Sequence, residues 1–226
     1  QLYQFTYKGH EDAPGVPIIT PENAEEAAAN GCARSTVKET YEFILGDLNK
    51  AIELLANTKK TRSDKRYVSL DVAYGIRARV HLTMHNYADA LKDAEAALAS
   101  TSSVPYSSAA VSKPTFIDIE DASWMWGILI TDKDRVSTTG ICNFPSHMGS
   151  LNYGYASVGG WRRISPKLYN QIPESDVRKG WFLDDTGVSV NLPAAAQAYI
   201  TKKGAPVYTQ VKYGPMNDEW GSNNHA

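Results

Sequence analysis

The sequence predicts a mainly α-helical fold with an irregular, loop-rich second half, and two observations support this prediction. Apolar residues recur at helical spacing between residues 36 and 99, whereas glycine, serine, asparagine and aromatic residues prevail after residue 100. The 226 residues are 42% hydrophobic, which is enough apolar material for a sizeable core. No run of about 18 apolar residues occurs, so no helix is expected to span a membrane.

The first long helix is predicted to follow a cap at Thr36. Thr36 and Glu39 have the spacing of a capping box, in which each side chain accepts a hydrogen bond from the other residue's backbone N–H. The residues that then recur in steps of four and three form one apolar stripe: Val37, Tyr41, Ile44, Leu48, Ala51 and Leu55. Residues 1–34 contain Pro14-Gly15 and are predicted to form a loop region.

A second and a third helix are predicted to follow as a closely packed pair. The second is capped by Ser69 or Asp71, and the break before the third falls at Asn86-Tyr87. The apolar positions of the third helix include three alanines that allow a neighbouring helix to approach closely: Tyr87, Ala90, Leu91, Ala94, Ala97 and Leu98. This helix–turn–helix pattern is typical of tetratricopeptide repeats, and it predicts that Tyr87 packs inside the helix pair.

Shorter elements are predicted in the second half of the chain. Residues 123–130 (SWMWGILI) and 206–213 (PVYTQVKY) are predicted to be short strands. Ser165-Pro166 predicts an N-cap with proline at the first helical position, which opens a short helix. Residues 131–163 have no helical period, and a connection of this length is uncommon unless it is functional or disordered. Its aromatic residues argue against disorder.

Charge and cysteine content exclude several classes of protein. The 23 basic and 25 acidic residues give a net charge of −2, which argues against a nucleic-acid partner. Two cysteines, Cys32 and Cys142, are too few for a disulfide framework or a four-cysteine zinc site, and whether they pair is left open.

The sequence contains no complete catalytic or metal-binding motif. His81 and His85 have the spacing of two zinc ligands on a helix, but Leu82 stands where a metalloprotease has its glutamate. Asp132 and Asp134 resemble the start of a calcium loop, but the glycine and glutamate that such a loop requires are missing. We therefore expect no enzymatic activity, no cofactor and no metal.

Four segments of the chain carry a family resemblance. They are GVPIIT at 15–20, RSTVKETYEFILGDLNKAIELL at 34–55, AYGIRARVHLTMHNYADAL at 73–91 and ISPKLYNQIPESDVRKGWF at 164–182. In this order they resemble the SusD/RagB family of outer-membrane nutrient-binding lipoproteins. Family members are longer, so we expect the N-terminal lipobox segment and the C-terminal helices to lie outside this chain.

The resemblance implies one SusD-like domain over residues 1–226, with a tetratricopeptide-like scaffold at 35–100 and a loop-rich ligand-binding part at 101–226. It implies a non-catalytic protein at the surface of the outer membrane, held there by a lipid anchor outside this chain. Such a protein binds a glycan and delivers it to a SusC-like TonB-dependent barrel transporter. The alternatives are a peptide ligand and a tetratricopeptide-type adaptor that binds another protein.

Residues 143–163 are the candidate ligand-binding segment. A sugar site needs flat aromatic side chains for stacking and amide or guanidinium groups that hydrogen-bond to hydroxyls. The predicted ligand contacts are Trp161, Tyr153, Tyr155, Asn152, Arg162 and Asn143. The sequence leaves open the alternative that these aromatic residues anchor the loop to the scaffold. A second candidate contact patch is Trp220 with Asn223 and Asn224.

Overall fold

The structure is a computed structural model that describes residues 5–58, 60–115, 117–129 and 144–221. It is mainly helical, as predicted, and it divides into two compact units: unit 1, Gln1–Ser102, and unit 2, Ser103–Ala226. Unit 1 contains α1 (Ala24–Asn30), α2 (Val37–Asn57), α3 (Leu70–Thr83) and α4 (Tyr87–Ser100). Unit 2 contains α5 (Ser108–Ser112), α6 (Phe144–Met148), α7 (Pro166–Tyr169) and α8 (Ala194–Lys202), with 3₁₀ turns at Tyr155–Val158, Val177–Trp181 and Met216–Asp218.

The predicted capping box is present at the start of α2. The Thr36 hydroxyl accepts a hydrogen bond from the Glu39 N–H at 3.1 Å, and the Glu39 carboxylate accepts one from the Thr36 N–H at 2.7 Å. These two bonds satisfy N–H groups that have no partner within the helix. The predicted start of the helix is therefore confirmed.

Residues 1–34 were predicted to form a loop region, which is wrong at α1 (Ala24–Asn30). The segment before α1 docks on the start of α2. The Gly15 N–H donates to the Ser35 carbonyl at 2.6 Å, and the Arg34 guanidinium donates to the carbonyls of Pro14 and Gly15 at 2.8 and 2.7 Å. A Cβ atom at Gly15 would lie 2.5 Å from the hydroxyl oxygen of Thr40 and close to backbone oxygens. Glycine is required here because the two backbones approach so closely.

Helix α3 contacts both α2 and α4, which confirms the predicted helix pair. The buried side of α4 carries Ala90, Asp93 and Ala97. Tyr87 is instead 63% exposed and stacks on His85, so the prediction that it packs inside the pair is wrong. The reason is rotational, because at 100° per residue Tyr87 lies about 90° around the helix from the mean direction of Ala90, Asp93 and Ala97.

An extended segment, residues 209–214, links distant parts of unit 2. Three isolated bridges join it to segments distant in the sequence: Thr209 to Arg163, Gln210 to Phe182 and Tyr213 to Thr115. The strand predicted over 206–213 is wrong at residues 207–208, which form a turn with Tyr208 at a φ of 65°. The rest of it is an extended segment with isolated bridges, because no partner pairs with it for long enough to form a ladder. Its central residues are buried, and Val211 is only 2% exposed.

The strand predicted over residues 123–130 is wrong for the described residues 123–129, which form a turn and coil. The Asp121 carboxylate accepts hydrogen bonds from the Ser123 N–H at 2.8 Å and its hydroxyl at 2.7 Å, and the Trp124 N–H donates to the Asp121 carbonyl at 3.1 Å. These bonds form a turn at the point where the predicted strand would have begun.

The apolar core of unit 2 draws on distant parts of the chain. Its buried members are Leu151, Leu183, Ala196, Ile200 and Val211. Trp161 and Trp220 are partly buried and pack against this cluster. The core therefore fixes the base of the candidate loop and the aromatic residue of the second candidate patch.

Candidate ligand-binding site

The described part of the candidate segment, residues 144–163, is a compact loop. It runs from α6 to the 3₁₀ turn at Tyr155–Val158, and these two elements contact each other. A Cβ atom at Gly154 would lie 2.7 Å from the Cα atom of Ser146, so only glycine permits this approach. The far end is tied down because the Gln210 N–H donates to the Arg162 carbonyl at 2.8 Å.

Three side chains of this loop form a surface cluster, here called the His147 cluster: His147, Tyr155 and Arg162. The rings of His147 and Tyr155 lie with their centroids 4.4 Å apart. An Nη atom of Arg162 lies 3.4 Å from Nδ1 of His147. His147 and Arg162 are exposed and Tyr155 is half-buried, so a ligand can reach ring surface and guanidinium donors together.

The other predicted contacts are placed differently. Tyr153 is 43% exposed, whereas Asn152 is only 4% exposed and lies against Gly149. Trp161 is partly buried and packs against the core of unit 2. Asn143 lies outside the described residues.

His147 was not among the predicted site residues. Its sequence neighbourhood, FPSHMG, carries no motif and no periodicity that indicates a ligand contact. Only the fold of the loop brings its ring against Tyr155 and within reach of Arg162.

The described residues give no indication of a metal centre or of a membrane span. Within them, no group of three or more His, Cys, Asp or Glu side chains is arranged to hold a metal ion. No helix among them is both long enough and apolar enough to cross a bilayer. Cys142, Asp132 and Asp134 lie outside the described residues.

The protein is mainly helical, and its candidate loop carries an exposed aromatic and cationic cluster on the surface. Comparison with known protein families shows which family it resembles. Residues 1–82 match a family model described as SusD-like, starch-binding associating with outer membrane. No curated protein matches the sequence.

Two solved structures are similar to the chain. A SusD-like carbohydrate-binding protein from Bacteroides vulgatus superimposes with a TM-score of 0.64 and 24% identity, over 80% of this chain and 36% of that one. A SusD-like protein from Bacteroides fragilis has a TM-score of 0.47 and 19% identity, over 80% of this chain and 43% of that one. The matched part of the chain thus covers less than half the length of each of these structures. The family match over residues 1–82 and the SusD-like fold confirm the resemblance to the SusD/RagB family seen in the sequence.

Proposed function

We propose that this protein binds glycan without catalysis and delivers it to a SusC-like TonB-dependent barrel transporter at the surface of the outer membrane. The observation that carries the binding proposal is the His147 cluster. The Tyr155 and His147 rings offer flat surface to the C–H face of a sugar, and Arg162 offers several N–H donors to its hydroxyls.

The proposed location and partner are based on the family comparison. The family description places related proteins at the outer membrane. We propose that this protein is held there by a lipid anchor outside this chain and faces the exterior. The transporter partner follows from the family resemblance alone.

The lack of carboxylates in the loop supports a non-catalytic role. Glycoside hydrolysis requires two carboxylates that flank the scissile bond. Residues 144–163 contain neither aspartate nor glutamate. A bound sugar at the His147 cluster would therefore meet stacking surface and donors without an acid–base pair from this loop.

Native affinity electrophoresis of the intact protein through gels that contain single polysaccharides tests this proposal. The panel would comprise amylopectin, mixed-linkage β-glucan, α-mannan and polygalacturonate. Wild-type protein should be retarded by at least one of them. Each sugar hydrogen bond replaces a bond to water and contributes about 0.5–1.5 kcal/mol, so Tyr155→Ala or Arg162→Ala should weaken binding by roughly 2- to 10-fold.

Tyr67→Ala is the matched control, because Tyr67 is a 55% exposed tyrosine beside Arg66 in unit 1 and is not part of the loop sequence. It should migrate like the wild type. Equal retardation of Tyr155→Ala, Arg162→Ala and wild type would remove the loop from the proposal. A folded protein that no glycan retards would shift the proposal to a peptide ligand. Co-purification of the barrel with the intact protein from outer membranes tests the delivery step separately.

A further inference from the structure

Two adjoining cavities in unit 2, separate from the His147 cluster, share the segment Val190-Asn191. The larger has a volume of about 560 Å³ and is lined by Trp220, Lys113 and Asp218 among others. The smaller has a volume of about 300 Å³. Both volumes are of the order found for small-molecule sites, which are about 300–1,000 Å³.

The indole of Trp220 is held rigidly at the larger cavity. Its ring packs against the core of unit 2, and the backbone N–H of Trp220 donates to the Asp218 carbonyl at 2.9 Å. The next residue, Gly221, donates to the Leu151 carbonyl at 2.8 Å. Trp220 stays half-buried, so part of its ring faces the cavity as a fixed apolar wall. A rigid aromatic wall costs little conformational entropy when a ligand stacks on it.

Polar groups stand around this wall. Lys113 and Asp218 are exposed, and among the described residues no hydrogen bond or ion pair engages either side chain. The Asn191 amide donates to the Val177 carbonyl at 2.8 Å, which fixes its position between the two cavities. A donor, an acceptor and an amide beside one aromatic ring form a set that suits a hydroxylated ring ligand.

The smaller cavity also places a cation and a carboxylate near an aromatic ring. The ammonium of Lys179 lies 5.0 Å from the centre of the Tyr169 ring. The carboxylate of Asp184 accepts hydrogen bonds from the N–H and hydroxyl of Thr186 and from the Val188 N–H. These three bonds end on Oδ1. The wall between the cavities carries Val190, which is 92% exposed.

The charged side chains that line the two cavities favour a ligand without negative charge. Across both cavities the lining carboxylates are Glu174, Asp176, Asp184 and Asp218, and the lining lysines are Lys113 and Lys179. Arg178 pairs with Asp176 at 2.6 Å and adds a third cation, so the carboxylates exceed the cations by one, and this negative excess disfavours a polyanion.

We propose that the two cavities form one groove over Val190-Asn191 that binds a segment of a neutral polysaccharide, as a second contact surface apart from the His147 cluster. This inference rests on the proposed glycan-binding function. It goes beyond that function by naming a second site and by excluding acidic glycans from it.

A substitution that blocks the groove without disturbing the fold tests this proposal. Val190→Arg places a bulky cation over the shared wall, and the high exposure of Val190 leaves the core untouched. Val104→Arg is the matched control, since Val104 is also an exposed valine of unit 2, at 63%, and lines neither cavity. In affinity gels of the intact protein with amylopectin, mixed-linkage β-glucan, α-mannan and polygalacturonate, Val190→Arg should weaken binding to a neutral glycan about five- to tenfold. Val104→Arg should leave it unchanged.

A second measurement locates the contact directly. Hydroxyl-radical footprinting with the retarding neutral glycan should protect Trp220 and Tyr169 from oxidation. Trp220→Phe, which keeps an aromatic ring against the core, should weaken binding less than Val190→Arg does.

The outcomes separate this inference from the function on which it rests. A neutral glycan that binds wild type and Val190→Arg equally, and leaves Trp220 unprotected, overturns the groove while glycan binding stands. Preferential, Val190-dependent binding of polygalacturonate overturns the neutral ligand. Failure of every glycan to bind the wild type overturns both proposals.

Discussion

Removal of the Asp93 carboxylate should destabilise unit 1 far more than removal of a surface carboxylate. Asp93 is 3% exposed on α4 and accepts two hydrogen bonds of 2.6 Å from the Arg77 guanidinium on α3. The same guanidinium donates to the Asn49 amide on α2 at 2.6 Å. One ion pair therefore links three helices, and the Asp93 contact raises the pKa of Arg77, which stays charged.

The burial of the Arg77–Asp93 ion pair sets the expected loss of unfolding free energy. Removal of one partner of a buried ion pair costs about 3–5 kcal/mol, because the other charge is left without compensation. The Arg77 side chain is 19% exposed and keeps its bond to Asn49, so we expect the lower end, about 3 kcal/mol, for Asp93→Ala. That is a large share of a typical unfolding free energy of about 5–15 kcal/mol.

Urea-induced unfolding followed by far-ultraviolet circular dichroism measures this loss. The matched control is Glu53→Ala, which removes a carboxylate that pairs with Lys50 at 2.9 Å while both side chains are 61% exposed. Exposed pairs contribute about 0–1 kcal/mol, so the control should change little.

The double variant Arg77→Ala/Asp93→Ala adds an internal check. It leaves no unpaired charge behind, so its cost should be smaller than the sum of the two single costs. Equal stability losses for Asp93→Ala and Glu53→Ala, or strict additivity in the double variant, would refute the reasoning.

Three further predictions concern local features. Thr36→Ala should lower the unfolding free energy by about 1 kcal/mol in the same urea titration, because it removes the hydroxyl that accepts from Glu39; no change would mean that the cap contributes nothing. Gly154→Ala forces a Cβ atom against Ser146 and should displace the candidate loop at a cost of about 1–3 kcal/mol, seen as faster proteolysis and weaker glycan retardation; unaltered proteolysis would contradict the close approach. Burial alone would raise the pKa of Asp184, but hydrogen bonds from its own turn hold that pKa below its usual value. The ionised Asp184 carboxylate therefore stabilises the fold fully above about pH 4, the pKa of the unfolded state. This stabilisation is lost as the pH falls through the lower pKa of the folded state. Asp184→Asn should therefore show a weaker loss of unfolding free energy on acidification than wild type, and parallel curves would argue against this role.

The sequence alone determined the features that depend on neighbouring residues. The Thr36 and Glu39 capping box, the helix pair with small residues at Ala90 and Ala97, and the Ser165-Pro166 helix start are all present in the structure. Each arises from contacts within a few residues of the chain, and such contacts leave a readable spacing.

The tertiary structure decided which side chains of the irregular half face outwards. Trp161 and Tyr155 belong to the same loop, yet one packs on the core and the other joins the surface cluster with His147. No local pattern separates them, because their directions depend on partners far along the chain, such as the pairing of Arg162 with Gln210. For the same reason Trp220 could be suspected from sequence, whereas its cavity could not.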